Sequence, residues 1–279
     1  MSEPARRERA GPVQVDGAVL SVKQVGDYAH LTMVAPGVAE RVRPGSFVEL
    51  GIGGETSGLL RRRAFWVHRA RPAGVYGGTV EVVFAPRSPA TRWLAALHPH
   101  DAVDVLGPVG RPFSLPREPA VCAVVGEGYG AAPLFMLGER LRERDCAVHM
   151  VLGAANERGL FGALEARRAA QSVTVTTVDG SVGIRGDVTT ALPVLLGRHA
   201  VDVVYACGRT PTLREVARLA RASGAWSQVA MEAPMSCGLG LCNSCVVPVR
   251  GRDGVTRPVR CCVDGPVFDG DRVDWALLS

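Results

Sequence analysis

Three stretches of different texture predict a β barrel, then an open α/β domain, then a small cysteine-rich tail. Residues 12–116 hold six short apolar runs broken by glycine and proline, the pattern of a six-stranded antiparallel barrel. Residues 117–225 alternate apolar strand runs with helical ones, which implies an open parallel sheet covered on both faces. Residues 226–279 gather cysteines around CGLGLCNSC in a short, loop-rich segment. A polar leader, residues 1–11, precedes the barrel and reads as a disordered tail.

In the barrel, the strand runs are VQVDGAVLSVKQV, AHLTMVAP, SFVELGI, AFWVHRA, TVEVVFAP and DAVDVLGP. One helix interrupts them, SPATRWLAALHP, opened by Ser88 with Pro89 in its first turn and ended by Pro99. Arg61, Arg62 and Arg63 make a cationic step before AFWVHRA, either a solvated loop or a fork for phosphate oxygens. Phe65 and Trp66 are adjacent in a strand and face opposite sides, so one enters the core and the other is free to lie against a planar ligand.

In the α/β part, AVCAVV leads through Gly126, Gly128 and Gly130 into a helix with Pro133 near its start. Glycines between a strand and a helix N-terminus suit a phosphate-bearing ligand, because free N–H groups and the helix dipole favour anions there. A tight turn that needs glycine only for packing would look the same. The spacing is GxGxG rather than GxGxxG, and Glu127 adds a negative charge beside it. The chain continues as the strand CAVHMVLGA, the helix GLFGALEARRAA, the strand SVTVTTVDG, the helix VTTALPVLLGRH, the strand VDVVYACG and the helix TPTLREVARLARASG. Cys207 and Gly208 end a strand at the carboxyl edge of the sheet, where open α/β sheets bind ligands.

In the tail, QVAME, CVVPVRG and RVDWALL read as strands. Cys237, Cys242 and Cys245 are spaced C-x4-C-x2-C, as in plant-type 2Fe–2S ferredoxins, with a fourth thiolate arriving from a later loop. Gly238 and Gly240 between them let the backbone wrap closely around a small inorganic core. The alternatives are disulfides or a structural zinc, which usually takes paired C-x2-C units, of which only one is present. Spacing does not choose between Cys261 and Cys262 as fourth ligand. Cys122, Cys146 and Cys207 sit among apolar or small residues and read as buried hydrophobes. His68, His98, His100 and His149 lack metal-ligand spacing and read as surface or satisfied residues.

Bulk composition narrows the function classes. The formal charge of +5 comes from 32 basic and 27 acidic residues, and no basic run interleaves with aromatics as nucleic-acid binding would require. No apolar stretch reaches membrane-span length and no signal peptide is visible, so a cytoplasmic protein is expected. No nucleophile–base pair or paired carboxylates stand out as bond-making machinery.

Taken together, these residues carry a family resemblance. The chain resembles the electron-transfer subunit of class 1B dihydroorotate dehydrogenase, the PyrK type, of the ferredoxin reductase superfamily. The likeness spans residues 12–275 or so, and its most specific segments are MEAPMSCGLGLCNSCVVP (231–248), CVDGPVF (262–268) and VDGSVGIRGDVTTAL (178–192). GEGYGAAPL (126–134), ACGRTPTL (206–213) and GPVGRPF (107–113) resemble superfamily motifs. The resemblance implies Cys237, Cys242, Cys245 and Cys262 as cluster ligands, FAD in the barrel, and NAD(H) at Gly126, Gly128, Gly130, Cys207 and Gly208. It also implies an FMN-containing catalytic partner subunit, in a heterotetramer with two copies of each.

The flavin site departs from the family pattern. The segment matching the family's Arg-x-x-Ser is Arg63, Ala64, Phe65 and Trp66, so an indole stands where the family has a small hydroxyl. Phe84, Ala85 and Pro86 match a segment that usually holds a basic residue, and Ala90 with Thr91 matches a Gly-Thr pair. NAD is expected over NADP, although Arg158 in GAANERG could reach a 2′-phosphate. Two other readings share these motifs: a paralogue with the same relay serving a different flavoenzyme, and a non-enzymatic scaffold that keeps the cluster but has an impaired flavin site.

Overall fold

A computed structural model of the chain describes residues 11–54, 58–59 and 61–278. Apart from Gly11, the expected leader lies outside the described residues. Six strands, β1 (Val13–Val25), β2 (Tyr28–Val34), β3 (Phe47–Leu50), β4 (Arg63–Arg71), β5 (Thr79–Phe84) and β6 (Ala102–Val109), close into a barrel in the order β1-β2-β5-β4-β3-β6. All neighbours are antiparallel. The period-two alternation of the sequence explains the closure. Leu31, Met33, Phe65, Val67, Val80 and Val82 point inward and form one buried cluster. Helix α1 (Pro89–Ala95) begins as expected: Ser88 accepts from the Thr91 N–H, and the Thr91 hydroxyl accepts from the Ser88 N–H.

The second unit is a sheet in the order β10-β9-β8-β7-β11-β12-β15. Its parallel strands are β7 (Val121–Glu127), β8 (Ala147–Ala154), β9 (Ser172–Thr177), the short β10 (Ile184–Arg185), β11 (Val203–Cys207) and β12 (Trp226–Ala230). Between them run α2 (Ala132–Arg142), α3 (Ala163–Ala169), α4 (Val188–Arg198) and α5 (Thr210–Ala222). Helix α2 is buried on nearly every side because it lies between the sheet and barrel strand β4. Gly138 makes that fit possible: a Cβ there would meet Met150 Cε at 2.5 Å and the Ala169 carbonyl at 2.9 Å. Cys122, Cys146 and Cys207 are buried, as the sequence leads one to expect.

The tail is fastened to this sheet. After the hairpin β13 (Val246–Arg250) and β14 (Thr256–Arg260) comes a single helical turn, α6 (Cys261–Asp264). Strand β15 (Val267–Asp269) then adds antiparallel to β12 at the sheet edge. RVDWALL, expected as a strand, is not one. Val273 forms a lone bridge to Val249, and residues 275–277 make a 3₁₀ turn. The Trp275 indole donates to the Gly270 carbonyl at 2.9 Å, which turns the chain back before a ladder can extend. Among the described residues, no helix is long and apolar enough to cross a membrane.

Candidate metal centre and the cavity beside it

The hairpin explains how distant cysteines meet. Its register pairs Val246 with Arg260, so Cys245, just before β13, lies beside the start of α6. The Cys261 N–H donates to the Cys245 carbonyl at 2.7 Å. The two adjacent cysteines then part. The Cys261 thiol donates to the Met231 carbonyl at 3.5 Å, while the Cys262 thiol turns to the Cys245 thiol and toward Cys237. The Leu241 N–H donates to the Cys237 sulfur at 3.4 Å, and the Cys242 thiol lies 3.1 Å from the Ser244 hydroxyl. Gly238 (φ +63°) takes a left-handed turn so tight that a Cβ would meet Glu49 Oε1 at 2.6 Å.

This donor set fits an iron–sulfur cluster. The thiols come from one loop and one helical turn that the hairpin brings side by side, and the Leu241 N–H donates to the sulfur of Cys237 at 3.4 Å. Burial opposes ionisation of Cys237, yet the N–H groups of Cys242, Leu239 and Leu241 bring it down to about 6. Burial and the neighbouring Cys245 thiol push Cys262 up to about 12, where a bound metal would be needed to take the proton. Cys245 and Cys262 are buried, Cys237 is half-buried and Cys242 is exposed.

A cavity of about 340 Å³ adjoins this loop. Arg63, Ala64, Phe65, Trp66, Phe84, Ala85 and Thr91 line it. Pro86 and Ala90 do not; Ala90 is buried in the barrel core. Gly126, Gly128, Gly130, Cys207 and Gly208 also lie outside the lining. They meet each other instead at the carboxyl ends of β7 and β11, where Cys207 pairs with Gly126. A Cβ on Gly130 would come 3.1 Å from the Cys207 carbonyl, and one on Gly208 would come 2.9 Å from Glu127 Cβ. Backbone packing therefore already requires glycine at both positions.

Several lining residues were not anticipated: Arg87, Tyr129, Glu232 and Met235. Glu232 accepts from the Trp66 indole at 3.1 Å and from the Tyr129 hydroxyl at 3.2 Å. Burial raises the Glu232 carboxyl above its ordinary range, and these two hydrogen bonds only partly offset that. Glu127 is not the isolated charge its sequence position implies. Arg209 pairs with it, and the Thr212 hydroxyl donates to it at 2.7 Å. Arg62 pairs with Asp104, which leaves Arg63 as the arginine of the cationic step that reaches the cavity. Arg158 bonds Asp27 at 3.0 Å.

Comparison with known proteins places this geometry. The family model described as the iron–sulfur cluster binding domain of dihydroorotate dehydrogenase B matches residues 232–274. The dihydroorotate dehydrogenase B (NAD(+)) electron transfer subunit of Desulforamulus reducens is 32% identical over 266 residues, covering 93% of this chain and 98% of the relative. That of Bacillus caldolyticus is 36% identical over 248 residues, covering 88% and 91%. The chain belongs to this family of electron transfer subunits. Among solved structures, an NADH-dependent reduced ferredoxin-NADP oxidoreductase is similar with TM-score 0.81 and 28% identity, covering 93% of this chain and 90% of that one. A ferredoxin NADP+ reductase from Neisseria gonorrhoeae shares the fold at TM-score 0.62 and 16% identity, covering 76% and 92%. In this electron transfer subunit, then, the matched iron–sulfur segment begins at Glu232, the residue that also walls the cavity.

Proposed function

We propose that this chain relays electrons between NAD(H), an FAD in the cavity, a 2Fe–2S cluster and the FMN of a catalytic dihydroorotate dehydrogenase partner. One observation carries the reading: Met231, Glu232, Ala233 and Met235 wall the cavity, and their segment runs directly into the cysteine loop. Cofactors held by one short segment keep a fixed separation, which is what a relay requires. When bound, the flavin and the cluster supply the exchange between two-electron hydride chemistry and single-electron traffic.

The chain's own residues bind, orient and shield. Cys237, Cys242, Cys245 and Cys262 are the proposed cluster ligands, and Cys261, bonded to a carbonyl, is a bystander. Arg63 and Arg87 offer guanidinium forks for dinucleotide phosphates at the cavity wall. Phe65, Phe84, Trp66 and Tyr129 supply flat apolar surface, with Ala64, Ala85 and Thr91 completing the flavin wall. Gly126, Gly128, Gly130, Cys207 and Gly208 would receive the nicotinamide nucleotide at the carboxyl edge of the sheet. On this reading the domains are 12–116 for flavin, 117–225 for NAD(H) and 226–279 for the cluster, after a leader, 1–11.

The partner would meet the cluster at the exposed edge of its loop. Cys242 is exposed there, just after Leu239 and Leu241 at 42% and 78% exposure, an apolar rim suited to docking. The assembly is taken as a heterotetramer with two copies of each subunit, in the cytoplasm, where thiols stay reduced. A second reading, the same relay serving a different flavoenzyme, draws on the Trp66 departure and on the likeness to a different oxidoreductase at TM-score 0.81. Co-expression with a dihydroorotate dehydrogenase B catalytic subunit separates them. The first reading expects a stable complex that reduces NAD with dihydroorotate. A chain loaded with iron and flavin that elutes alone, with no such activity, would overturn it.

A further inference from the structure

His30, His68 and Glu81 stand on three neighbouring barrel strands, and none of the roles above uses them. Alternation places all three on the outer face, since Leu31, Val67, Val80 and Val82 beside them point into the core. Glu81 pairs with Thr32 across β2 and β5, so His30 is its diagonal neighbour. His30 Nε2 is 2.9 Å from Glu81 Oε2. The His68 ring stands edge-on to the His30 ring at 5.3 Å between centroids. One ligand atom from each of the three residues lies within 4.8 Å of the other two.

His68 is 3% exposed and its ring is pinned. Nδ1 lies 2.9 Å from the Ala132 carbonyl in the first turn of α2. A carbonyl only accepts, so Nδ1 carries a proton. In the neutral ring, Nε2 then presents a lone pair to the cluster, 3.4 Å from Glu165 Oε2. A ring nitrogen this close to a carboxylate calls for a cation between them, a second ring proton or a metal ion. An imidazole whose far N–H is fixed by a backbone carbonyl is also the usual setting of a metal-bound histidine. The carboxylates of Glu81, Glu139 and Glu165 face the guanidiniums of Arg69 and Arg71.

We propose that His30, His68 and Glu81 bind a divalent transition-metal ion, zinc by donor type, with solvent completing the coordination. Two imidazoles with carboxylate oxygens suit that ion. The site lies in the seam between barrel and sheet domain. A cavity of about 410 Å³ bounded by Arg69, Arg71, Glu139, Leu164, Glu165 and Arg168 lies on the Glu165 side of it. Glu165 is shared, with Oε1 on Arg69 at 2.5 Å and Oε2 toward His68. Because His68 also holds Ala132, a bound ion fixes the first turn of α2, just after the glycine loop, against the barrel.

The test uses cluster-loaded full-length protein, incubated with zinc sulfate, desalted and analysed for zinc and iron by mass spectrometry. The expected result is about one zinc per chain with iron unchanged, and a zinc-dependent rise in melting temperature. His30→Ala and Glu81→Gln should each weaken zinc binding about 100-fold or more while keeping their iron, which reports that the chain has folded. Zinc-edge X-ray absorption on the wild type needs no variant: nitrogen and oxygen neighbours are expected. Sulfur neighbours would put the zinc on the cysteines and overturn the proposal. So would absence of retained zinc, or equal retention by the folded variants, leaving an ion-pair network only.

Discussion

The indole Nε1 of Trp66 donates to Glu232 Oε1 across 3.1 Å, and this bond joins strand β4 of the barrel to the segment that enters the cysteine loop. The second oxygen of Glu232 takes the Tyr129 hydroxyl, which brings in the loop after β7. One carboxyl thus holds three parts of the molecule around the cavity.

Two substitutions at Trp66 separate its bond from its bulk. Trp66→Phe keeps an aromatic ring and deletes the donor, and should cost about 1–2 kcal/mol in denaturant unfolding. Trp66→Ser also empties the cavity wall and should cost more, about 3–5 kcal/mol. If the indole shields the flavin face, anaerobic stopped-flow bleaching by NADH should be faster in the Ser variant than in the Phe variant. Equal rates would show that the indole does not stand in the nicotinamide's way.

Glu232 makes stability depend on pH with a definite sign. Its folded carboxyl titrates above the ordinary value because burial disfavours the charge. The folded chain therefore holds a proton that the unfolded chain releases above about pH 4.3, so stability falls as pH rises from there through the raised value. Glu232→Gln cannot ionise and should remove that slope. The stability difference between variant and wild type, followed by unfolding between pH 5 and 8, should shift toward the variant as pH rises. A difference that is flat, or drifts the other way, would contradict the assignment.

The adjacent cysteines should behave oppositely. Cys262→Ser is expected to lose the cluster's visible absorption and most of its iron, about two atoms per chain in the wild type. Cys261→Ser should retain both, because its thiol donates to the Met231 carbonyl and a hydroxyl can do the same. Iron analysis with absorption spectra decides, and the reverse pattern would exchange their roles.

Gly238→Ala should damage the loop from two causes. The residue sits at φ +63°, and a Cβ would run into the buried Glu49 carboxylate at 2.6 Å. A loss of about 1–3 kcal/mol is expected, with faster cluster loss on warming. Gly254→Ala, also at positive φ but with open space around it, serves as the control and should cost only the backbone strain.

Much of this architecture is readable from local pattern. Alternating valines expose the barrel strands, and the Ser88–Pro89 start marks α1 because capping is a local interaction. The C-x4-C-x2-C run announces its chemistry within one loop. Strands β14 and β15 are not readable in the same way. Pro258 interrupts one, and the other has only three residues, stabilised by β12 rather than by its own sequence. RVDWALL has strand composition, but the Trp275–Gly270 bond wins.

Site residues divide along the same line. Arg63 and Thr91 fall in recognisable segments. Glu232 and Tyr129 become neighbours only when the strand after residue 226 and the loop after β7 meet at the barrel. The His30–His68–Glu81 cluster is still less visible, since three separate strands each contribute one residue. A signal was present in the alternation, which puts polar His68 and Glu81 on the barrel's outer face, but only strand order makes them adjacent.

Anaerobic titration of the purified chain with NADH, followed by low-temperature electron paramagnetic resonance, tests the relay most directly. The spectrum of a reduced 2Fe–2S centre should grow in with NADH and vanish on addition of excess NAD or in the Cys262→Ser variant. A chain that contains flavin and iron, and yields that spectrum with dithionite but not with NADH, would contradict the claim that it joins nicotinamide to cluster.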